Sequence, residues 1–451
     1  MKEGPMPHTP APVPARAPQA GQTPAPEALR ARWGWVEGSV WTDRMLAALE
    51  GQVKGGVWFR LIDKVYHPRN LRASWCRSAR NGGSPGIDGI TIDRYRCDVE
   101  PNLQRLSEQL RTGAYRPKSI RRTYIPKADG RMRPLGIPTV TDRIVQGAIR
   151  HVIEPIFEKE FAPHSYGFRP GRGCKDALRR VNDLLKSGYR YVVDADLESY
   201  FDTIPHDKLM QLVRERVADG RVLGLIESFL ECKIMEGLKE YSPAAGAPQG
   251  AVLSPLLSNI YLNPLDHGMA RRGYEMVRYA DDFVVLCRTR QEAEAALEEI
   301  RVWTAQAGLT LHPRKTRIAD AQHEPFEFLG YRFDKGRKWP RDKSRRKLRE
   351  TLKPHLKRTS GQSLQAIIAK LNPTLRGWFG YFKHTDRRGL RDVDQWVRMR
   401  LRSILRKRHG KRGKGRGDDH QRWPNVFFAR CGLLSLEQAH IAACQSMTMA
   451  H

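Results

Sequence analysis

Apolar and acidic residues alternate along the segment 191–197, Tyr-Val-Val-Asp-Ala-Asp-Leu. Successive side chains of an extended chain point to opposite faces, so Asp194 and Asp196 share one face and the apolar residues between and after them share the other. The pattern predicts a β-strand with two carboxylates on one face. Such a face suits either a metal site or a solvated sheet edge.

A second acidic cluster, Tyr279-Ala280-Asp281-Asp282, lies between two apolar runs at 275–278 and 283–286. This arrangement predicts a β-hairpin with its charges at the tip. Taken alone, an Asp-Asp pair at a turn is usually ordinary solvated turn chemistry. Adjacent carboxylates repel each other, however, and a rigidly held pair requires cations to offset that repulsion. Mg²⁺ fits, because it accepts few carboxylates and fills its other positions with water and phosphate oxygens.

The two acidic segments together have the layout of a polymerase palm: an aspartate on a strand, an aromatic residue soon after it, and a separate Asp-Asp hairpin. Asp196 is followed closely by Phe201. We therefore predict that Asp196, Asp281 and Asp282 converge on two Mg²⁺ ions roughly 3.5–4 Å apart. One ion would activate a primer 3′-hydroxyl and the other would stabilise the leaving pyrophosphate.

Helical periodicity surrounds the acidic segments. From residue 41 to about residue 80 one helical stretch is predicted, with Leu46, Leu49 and Val53 on its apolar face. Helices between acidic strands predict an α+β architecture. Further helices are predicted over 176–185, 208–216 and 291–307.

Beyond residue 335 the pattern is helical and strongly basic. Leu348, Leu352 and Leu356 predict an apolar seam on an otherwise basic helix. A second amphipathic helix is predicted to break at Asn372-Pro373, and a third is predicted to begin at Arg376. A helical bundle with a basic face, placed after a palm, predicts a thumb that grips a nucleic-acid duplex. The fourth helix carries Val397, Leu401, Ile404 and Leu405 on its apolar face.

The charge balance points to a polyanionic partner. The chain of 451 residues has 79 Lys and Arg against 49 Asp and Glu, a formal net charge of +30. No stretch approaches the ~20 apolar residues of a membrane-spanning helix. The seven cysteines form no Cys-x-x-Cys pair, so neither a zinc ribbon nor a disulfide framework is predicted. The first 26 residues are rich in proline and alanine and predict a disordered tail.

Further short blocks follow one another along the chain. In order they are NGGSPGIDG at 81–89, IPK to RPLGIP at 125–138, SYGFRP at 165–170, GAPQG at 246–250, GLTLHPRK at 308–315 and FLGY at 328–331. With the Asp196 strand and the acidic hairpin, the chain from about residue 41 onwards resembles group II intron reverse transcriptases with maturase function. One block is weak evidence, but eight blocks in the expected order are specific. The segment 423–440 resembles the terminus of compact bacterial members associated with class C introns.

The resemblance implies a set of metal ligands. These are the side chains of Asp196, Asp281 and Asp282 and the backbone carbonyl of Leu197. Asp194 and Asp202 flank the first aspartate, but the match to the family leaves both outside the metal shell. Two Mg²⁺ ions are expected, and Mn²⁺ is expected to substitute for them.

The resemblance also implies five substrate-binding residues. Phe201 would lie beneath the incoming sugar and exclude a 2′-hydroxyl, which selects dNTPs over rNTPs. Lys127 and Arg133 would clamp the triphosphate. Gln249 would approach the nascent base pair, and Lys315 would help to protonate the leaving pyrophosphate. Without the resemblance, each has a plainer explanation as a surface cation, a core aromatic residue or part of a structural turn.

The implied fold is α+β, a right-hand polymerase with fingers and palm followed by an α-helical thumb, the maturase domain X. The predicted divisions are a disordered tail at 1–30, a helical extension and fingers block at 31–90, fingers and palm at 91–335, the thumb at 336–410, and a basic linker with a C-terminal maturase or DNA-binding segment at 411–451.

The expected function is RNA-directed DNA polymerisation by a protein that binds its host group II intron RNA, assists splicing and copies the intron into cDNA during retromobility. Expected partners are that RNA, an RNA template–DNA primer duplex, target DNA and dNTPs, with no membrane; a homodimer is left open. The expected location is the bacterial cytoplasm, at the nucleoid. The paired cysteines of an HNH endonuclease are absent from the sequence, so the primer is expected to come from a nick or a nascent strand.

Three alternatives compete. A domesticated bacterial reverse transcriptase in DNA repair or phage defence would use the same catalytic residues. A splicing factor without enzymatic activity is disfavoured because all three aspartates are present. A viral RNA polymerase is disfavoured by Phe201, which indicates dNTP use.

Overall fold

The computed structural model describes residues 26–51, 56–126, 130, 132–413 and 417–448. Most of the predicted tail at 1–30 lies outside the described residues, and so does Lys127. Within them, helices surround two four-stranded sheets and one three-stranded sheet. The α+β architecture predicted from the alternation of helical and strand patterns is therefore confirmed.

Helices alone build the N-terminal part. They are α1 (Pro26–Trp33), α2 (Asp43–Gly51), α3 (Ile62–Val65), α4 (Pro68–Asn81), α5 (Ile92–Cys97) and α6 (Val99–Thr112). Residues 52–55, including Val53, lie outside the described residues. The prediction of one helical stretch over 41–80 is wrong at residues 56–61. There Trp58 N donates to Arg216 O at 2.9 Å, and the Asp219 carboxylate accepts from Leu61 N at 2.6 Å. These distant partners take the backbone hydrogen bonds that a continuous helix would need.

Strands and helices alternate in the middle of the chain. The elements are β1 (Ile120–Pro126), β2 (Met132–Ile137), α7 (Val140–Glu158), α8 (Cys174–Lys186), β3 (Tyr191–Asp196), α9 (Tyr200–Thr203), α10 (His206–Arg214), α11 (Gly220–Leu230), β4 (Ile234–Glu236), β5 (Lys239–Tyr241), α12 (Ser254–Arg271), β6 (Glu275–Tyr279), β7 (Asp282–Cys287), α13 (Arg290–Gln306) and β8 (Arg317–Asp320). The predicted hairpin corresponds to β6 and β7. The three shorter helices predicted in this part correspond to α8, α10 and α13.

These strands form two sheets. The N-terminal sheet has the order β2-β1-β4-β5, and the central sheet has the order β6-β7-β3-β8. Both faces of the central sheet are covered. Val193 and Val285 pack into the large core formed with α7, α12 and α13, whereas Val192 and Val284 pack against α8 and the strands that follow. With both faces covered, the acidic residues lie at one end of the sheet, where β3 ends and β7 begins.

The last part begins with a small antiparallel sheet and continues as a helical bundle. Its elements are β9 (Phe326–Phe328), β10 (Tyr331–Asp334), β11 (Arg337–Pro340), α14 (Asp342–Leu352), a 3₁₀ turn (Lys353–Leu356), α15 (Leu364–Phe382), α16 (Arg387–Arg408), α17 (Asp418–Arg422), α18 (Asn425–Arg430) and α19 (Leu436–Thr448). The predicted break at Asn372-Pro373 is wrong, since α15 runs through it. Leu371 and Leu375 are buried on either side of the proline. The Asn372 side chain donates to Gly432 O at 2.8 Å and accepts from Leu434 N at 3.0 Å, and this packing outweighs the missing backbone donor.

The bundle has its own core, and Leu401 on α16 is fully buried in it. We expect Leu401→Ala to destabilise the protein by about 2–5 kcal/mol, because it leaves a cavity that the neighbouring helices fill only in part. Urea denaturation followed by circular dichroism measures the loss. The control is Val426→Ala, at a side chain that is 58% exposed, and it should leave the midpoint nearly unchanged. Equal effects of the two changes would contradict the assignment of this core.

Candidate active site

Asp196 and Asp282 meet because β3 and β7 are antiparallel neighbours. The register places the two residues directly opposite each other at one end of the central sheet. Side chains in such positions have Cβ atoms about 4.5–5.5 Å apart. The same end of β7 follows the turn that carries Asp281, whose carboxylate interacts with that of Asp196. The structure thus brings together the three aspartates that the sequence predicted as metal ligands.

The turn between β6 and β7 is tight, and the neighbouring segment at Gly167 packs against it. Tyr279 pairs with Asp282, which leaves Ala280 and Asp281 as the turn residues. Ala280 has φ +59°, in the left-handed region that non-glycine residues rarely adopt. Gly167 packs so closely that a Cβ atom on it would lie 2.2 Å from Ala280 N. The surrounding structure therefore imposes one conformation on the turn, and that conformation fixes where the two carboxylates point.

Lys315 reaches the first aspartate from the segment after α13. Its Nζ lies 2.6 Å from Oδ2 of Asp196. The segment is held by a bridge between Leu197 and Leu311, in which His312 N donates to Asp196 O at 2.8 Å. In a pair of this kind the flanking residues make the hydrogen bonds, so the Leu197 carbonyl points away from Leu311, towards β7. This direction suits the predicted role of that carbonyl as a metal ligand.

Phe201, on the short helix α9, and Gln249, on the loop before α12, lie on segments that are hydrogen-bonded to each other. The loop after β3 turns at Ser199, which has φ +49°. Ala247 N then donates to the carbonyl oxygen of Phe201 at 2.7 Å, and Gln249 Nε2 lies 3.4 Å from Oδ2 of Asp202. The GAPQG loop and the turn that follows the first aspartate therefore form one wall of the site.

A cavity of about 410 Å³ opens above these residues. Cavities of this size hold small-molecule ligands. The predicted substrate-binding residues Arg133, Phe201, Gln249 and Lys315 all contribute to it, while Lys127 lies outside the described residues. Its lining includes Arg133, Asp196, Leu197, Phe201, Gln249, Asp281, His312 and Lys315.

The acidic end of the sheet resists ionisation. The Asp282 side chain opens to solvent, yet the surrounding protein displaces much of the bulk water. This desolvation, together with the nearby carboxylates of Asp194 and Asp281, raises the pKa of Asp282 to about 7. Desolvation also raises the pKa of Asp281, although Arg133 opposes the shift. The site therefore stores electrostatic repulsion that a bound cation would relieve.

The donor set fits divalent metal ions that are shared with a substrate. Three carboxylates and one carbonyl are hard oxygen ligands, which Mg²⁺ prefers. Across the described ranges, no three His, Cys, Asp or Glu side chains are grouped closely enough to enclose an ion by themselves. The Lys315 ammonium also lies against Asp196, on the side where a cation would bind. A nucleotide's phosphate oxygens would complete the coordination, as is usual for Mg²⁺ at phosphoryl-transfer sites.

Several residues that shape the site were not predicted from the sequence to do so. Asp194, which it set aside, lies on the same strand face as Asp196, and burial raises the pKa of Asp194 to about 6. Phe168, with φ +59°, places its ring centroid 6.5 Å from that of Phe201. His312 lines the cavity, and Arg278 is fully buried beneath the turn. Phe168, His312 and Arg278 all lie in segments that the sequence singled out, but none of them was given a role.

Two family models match the chain. Residues 125–333 match the reverse transcriptase (RNA-dependent DNA polymerase) model, and residues 341–423 match the maturase-specific domain of group II introns. Protein YkfC of Escherichia coli K12 is 36% identical over 315 residues, which are 61% of this chain and 82% of that protein. The chain belongs to the reverse transcriptase family.

Its maturase-type region places it among the group II intron reverse transcriptases, as the sequence blocks predicted. The group II intron-encoded protein LtrA of Lactococcus lactis subsp. cremoris is 38% identical over 190 residues, which are 42% of this chain and only 31% of LtrA. The predicted right-hand polymerase fold, with fingers and palm followed by a helical maturase domain, is confirmed. None of the helices within the described residues has the length and apolar character needed to cross a membrane.

A looser similarity links this reverse transcriptase to a partial Cas6-RT-Cas1–Cas2 complex. The TM-score is 0.36 with 24% identity, over 54% of this chain and 42% of that one. The assignment of the fold rests on the family models and on the strand pairing, not on this overlap.

The raised pKa of Asp282 makes the stability of the metal-free reverse transcriptase depend on pH. In the unfolded chain this carboxyl ionises near its usual 3.8, whereas in the fold it resists ionisation up to about 7. Its contribution therefore becomes destabilising as pH rises between those values and stays so above them. We expect Asp282→Asn to raise the melting temperature in EDTA at about pH 8 and to change it little at about pH 4. A difference of the same size at both pH values would contradict this account.

Proposed function

We propose that this reverse transcriptase is an RNA-directed DNA polymerase that binds a group II intron RNA, assists its splicing and copies it into cDNA. The observation that carries the polymerase activity is the pairing of Asp196 with Asp282, next to a cavity of about 410 Å³ that Asp196 and Asp281 line. Acidic clusters elsewhere on a protein surface have no reason to adjoin both a nucleotide-sized space and cations. Here Arg133 and Lys315 line the same cavity.

The chain's own residues would orient the reactants. Asp196, Asp281, Asp282 and the Leu197 carbonyl would hold two Mg²⁺ ions, which would supply activation of the primer hydroxyl and stabilisation of the developing charge. Arg133 would bind the triphosphate through its guanidinium fork. These contacts would align the α-phosphate with the primer end, so much of the catalysis would come from positioning.

Lys315 would have two roles, one before and one after the substrate binds. In the free protein its ammonium offsets the negative charge of Asp196, at 2.6 Å. When cations and nucleotide occupy the cavity, that offset is no longer needed and the ammonium is free to turn towards the phosphates. There it would donate a proton to the departing pyrophosphate.

RNA binding is supported by the maturase-type region. The family model for the maturase-specific domain covers residues 341–423, and the chain carries a net charge of +30. The apolar residues of α14 and α16 are turned inwards, which leaves basic side chains such as Lys343, Lys347 and Lys407 exposed. Structured RNA is recognised largely through its shape and backbone, and a broad cationic surface suits that mode of binding.

The intron role is tested by splicing. The RNA encoded around the gene would be incubated with the protein at an Mg²⁺ concentration at which the RNA alone splices slowly. We expect the protein to accelerate splicing, because cationic side chains stabilise the folded ribozyme. Polymerase activity without any effect on splicing would favour the alternative of a reverse transcriptase that serves DNA repair or phage defence.

We expect Asp281→Ala to abolish primer extension on an RNA template while leaving RNA binding nearly intact, because the change removes a metal ligand and no surface cation. Extension assays and a filter-binding assay measure the two properties. Asp93→Ala is the control, since that side chain is 85% exposed on α5, and it should retain activity. Full extension by Asp281→Ala would remove this residue from the mechanism.

The Phe201 side chain is proposed to exclude ribonucleotides. We expect Phe201→Val to reduce the preference for dNTPs over rNTPs by at least about tenfold, equivalent to ~1.4 kcal/mol of discrimination, since the smaller side chain makes room for a 2′-hydroxyl. Incorporation kinetics with each nucleotide measure the ratio, and the dNTP rate serves as the internal control. An unchanged ratio with a slower dNTP rate would show that Phe201 only supports the fold.

A further inference from the structure

Arg278 carries the largest fully buried side chain among the described residues, and it lies three residues before Asp281. We propose that Arg278, fixed by Asp266 and Asn259 of α12, is a positioning residue that sets the direction of the catalytic turn and so the metal affinity of the site. This inference rests on the proposed polymerase function, but it is tested below by metal binding as well as by activity.

Every end of the Arg278 guanidinium has a partner. Nε lies 2.8 Å from Oδ1 of Asp266, and Nη2 lies 2.5 Å from Oδ2 of the same carboxylate. Nη1 donates to Oδ1 of Asn259 at 2.9 Å and to the backbone carbonyl of Ala280, also at 2.9 Å. The last bond is the informative one, because the same Nη1 that donates to Asn259 of α12 also holds the left-handed residue of the turn.

The same network clamps the turn from its other side. The Asn259 amide donates to the carbonyl of Gly167 at 2.8 Å, and Gly167 is the residue that packs directly on Ala280. The backbone of Arg278 itself receives a hydrogen bond at its carbonyl from Tyr166 N, at 2.9 Å. Asn259 therefore connects the guanidinium to the glycine, and the turn is enclosed between two parts of one hydrogen-bonded unit.

Stability alone does not account for an arginine here. A buried ion pair loses much of its Coulomb attraction to desolvation, and well-packed apolar residues often stabilise a core as well or better. What an arginine supplies is direction, since its planar fork presents several donors at fixed angles. A lysine offers one compact charge and lacks that fixed fork of donors. Arg278 must hold a carboxylate, an amide and a backbone carbonyl at fixed angles at the same time, and this requirement indicates a positioning role.

Loosening the network should act on the metal ligands through the backbone. Without the bond from Nη1, Ala280 keeps its strained φ of +59° with less support. The turn then samples other conformations, and Asp281 and Asp282 spend less time facing Asp196. Metal affinity and turnover should fall, while the affinity for a template–primer duplex, which depends on other surfaces, should hold.

The test compares Arg278→Lys with a matched control, Arg402→Lys. Arg402 is also buried, at 3% exposure, and its guanidinium donates to Trp423 O and to Asn425 Oδ1 in the helical bundle. Both changes keep the charge and remove a guanidinium fork, so both should lower the melting temperature. Only Arg278→Lys is expected to raise the half-saturating Mg²⁺ concentration, by at least about fivefold, and to lower kcat with KM for template–primer unchanged.

A direct binding measurement separates this inference from the proposed function. Mn²⁺ binding to the free protein, followed by electron paramagnetic resonance, requires no polymerisation. Weaker Mn²⁺ binding by Arg278→Lys than by Arg402→Lys would support the positioning role even if the native protein extended no primer. Equal Mn²⁺ binding by the two variants and the native protein would overturn it, whatever happened to activity.

A second variant covers the case in which Arg278→Lys does not fold. Asn259→Ala leaves the ion pair with Asp266 intact and removes only the link to Gly167 and one acceptor of Nη1. We expect a smaller shift in Mn²⁺ affinity, in the same direction. The melting temperature should also fall, because Asn259 is buried and its loss leaves the Gly167 carbonyl without its donor. A folded Asn259→Ala protein with native Mn²⁺ affinity would contradict the proposal.

Discussion

The site depends on one pairing, that of β3 with β7. Its register puts Asp196 opposite Asp282, although the two residues lie far apart in sequence. A slip of one residue would turn every side chain of β3 to the other face. Such a slip is opposed because it would turn Asp194 and Asp196 into the core that holds Val193 and Ala195. The apolar packing on the two faces of β3 therefore fixes the position of the catalytic carboxylates, although none of these apolar side chains is proposed to contact a substrate.

Holding carboxylates together has an electrostatic cost, and the surrounding structure offsets part of it. Lys315 neutralises Asp196 at 2.6 Å, and Arg133 acts on Asp281 from the N-terminal sheet. The remaining repulsion appears as the raised pKa of Asp282. A site balanced in this way is poised to accept cations and phosphates together, because either alone would leave charge uncompensated. The left-handed turn and the buried Arg278 keep the geometry fixed while the charges change.

Much of this arrangement was predictable from the sequence, because it is encoded locally. The alternation around Asp194 predicted strand β3, and the acidic turn at Asp281 predicted the hairpin of β6 and β7. The spacing of apolar residues from Val397 to Leu405 predicted helix α16. The ordered blocks supplied the family. Errors arose where distant partners decide the outcome. The residues around Trp58 give no sign that its backbone N–H will bond to Arg216. Likewise, the residues around Pro373 give no sign of the hydrogen bonds that residues 432–434 make to Asn372. Arg278, on strand β6, was overlooked for the same reason, since Asp266 and Asn259 lie on the separate helix α12.

The most direct test of the account is the location of metal ions in a complex with an RNA template, a DNA primer and an unreactive dNTP analogue. Anomalous scattering from crystals grown with Mn²⁺ would show each ion without reference to activity. The account predicts two peaks roughly 3.5–4 Å apart, in contact with Asp196, Asp281 and Asp282. A complex with a well-ordered nucleotide and no peak between Asp196 and the β6–β7 turn would contradict it.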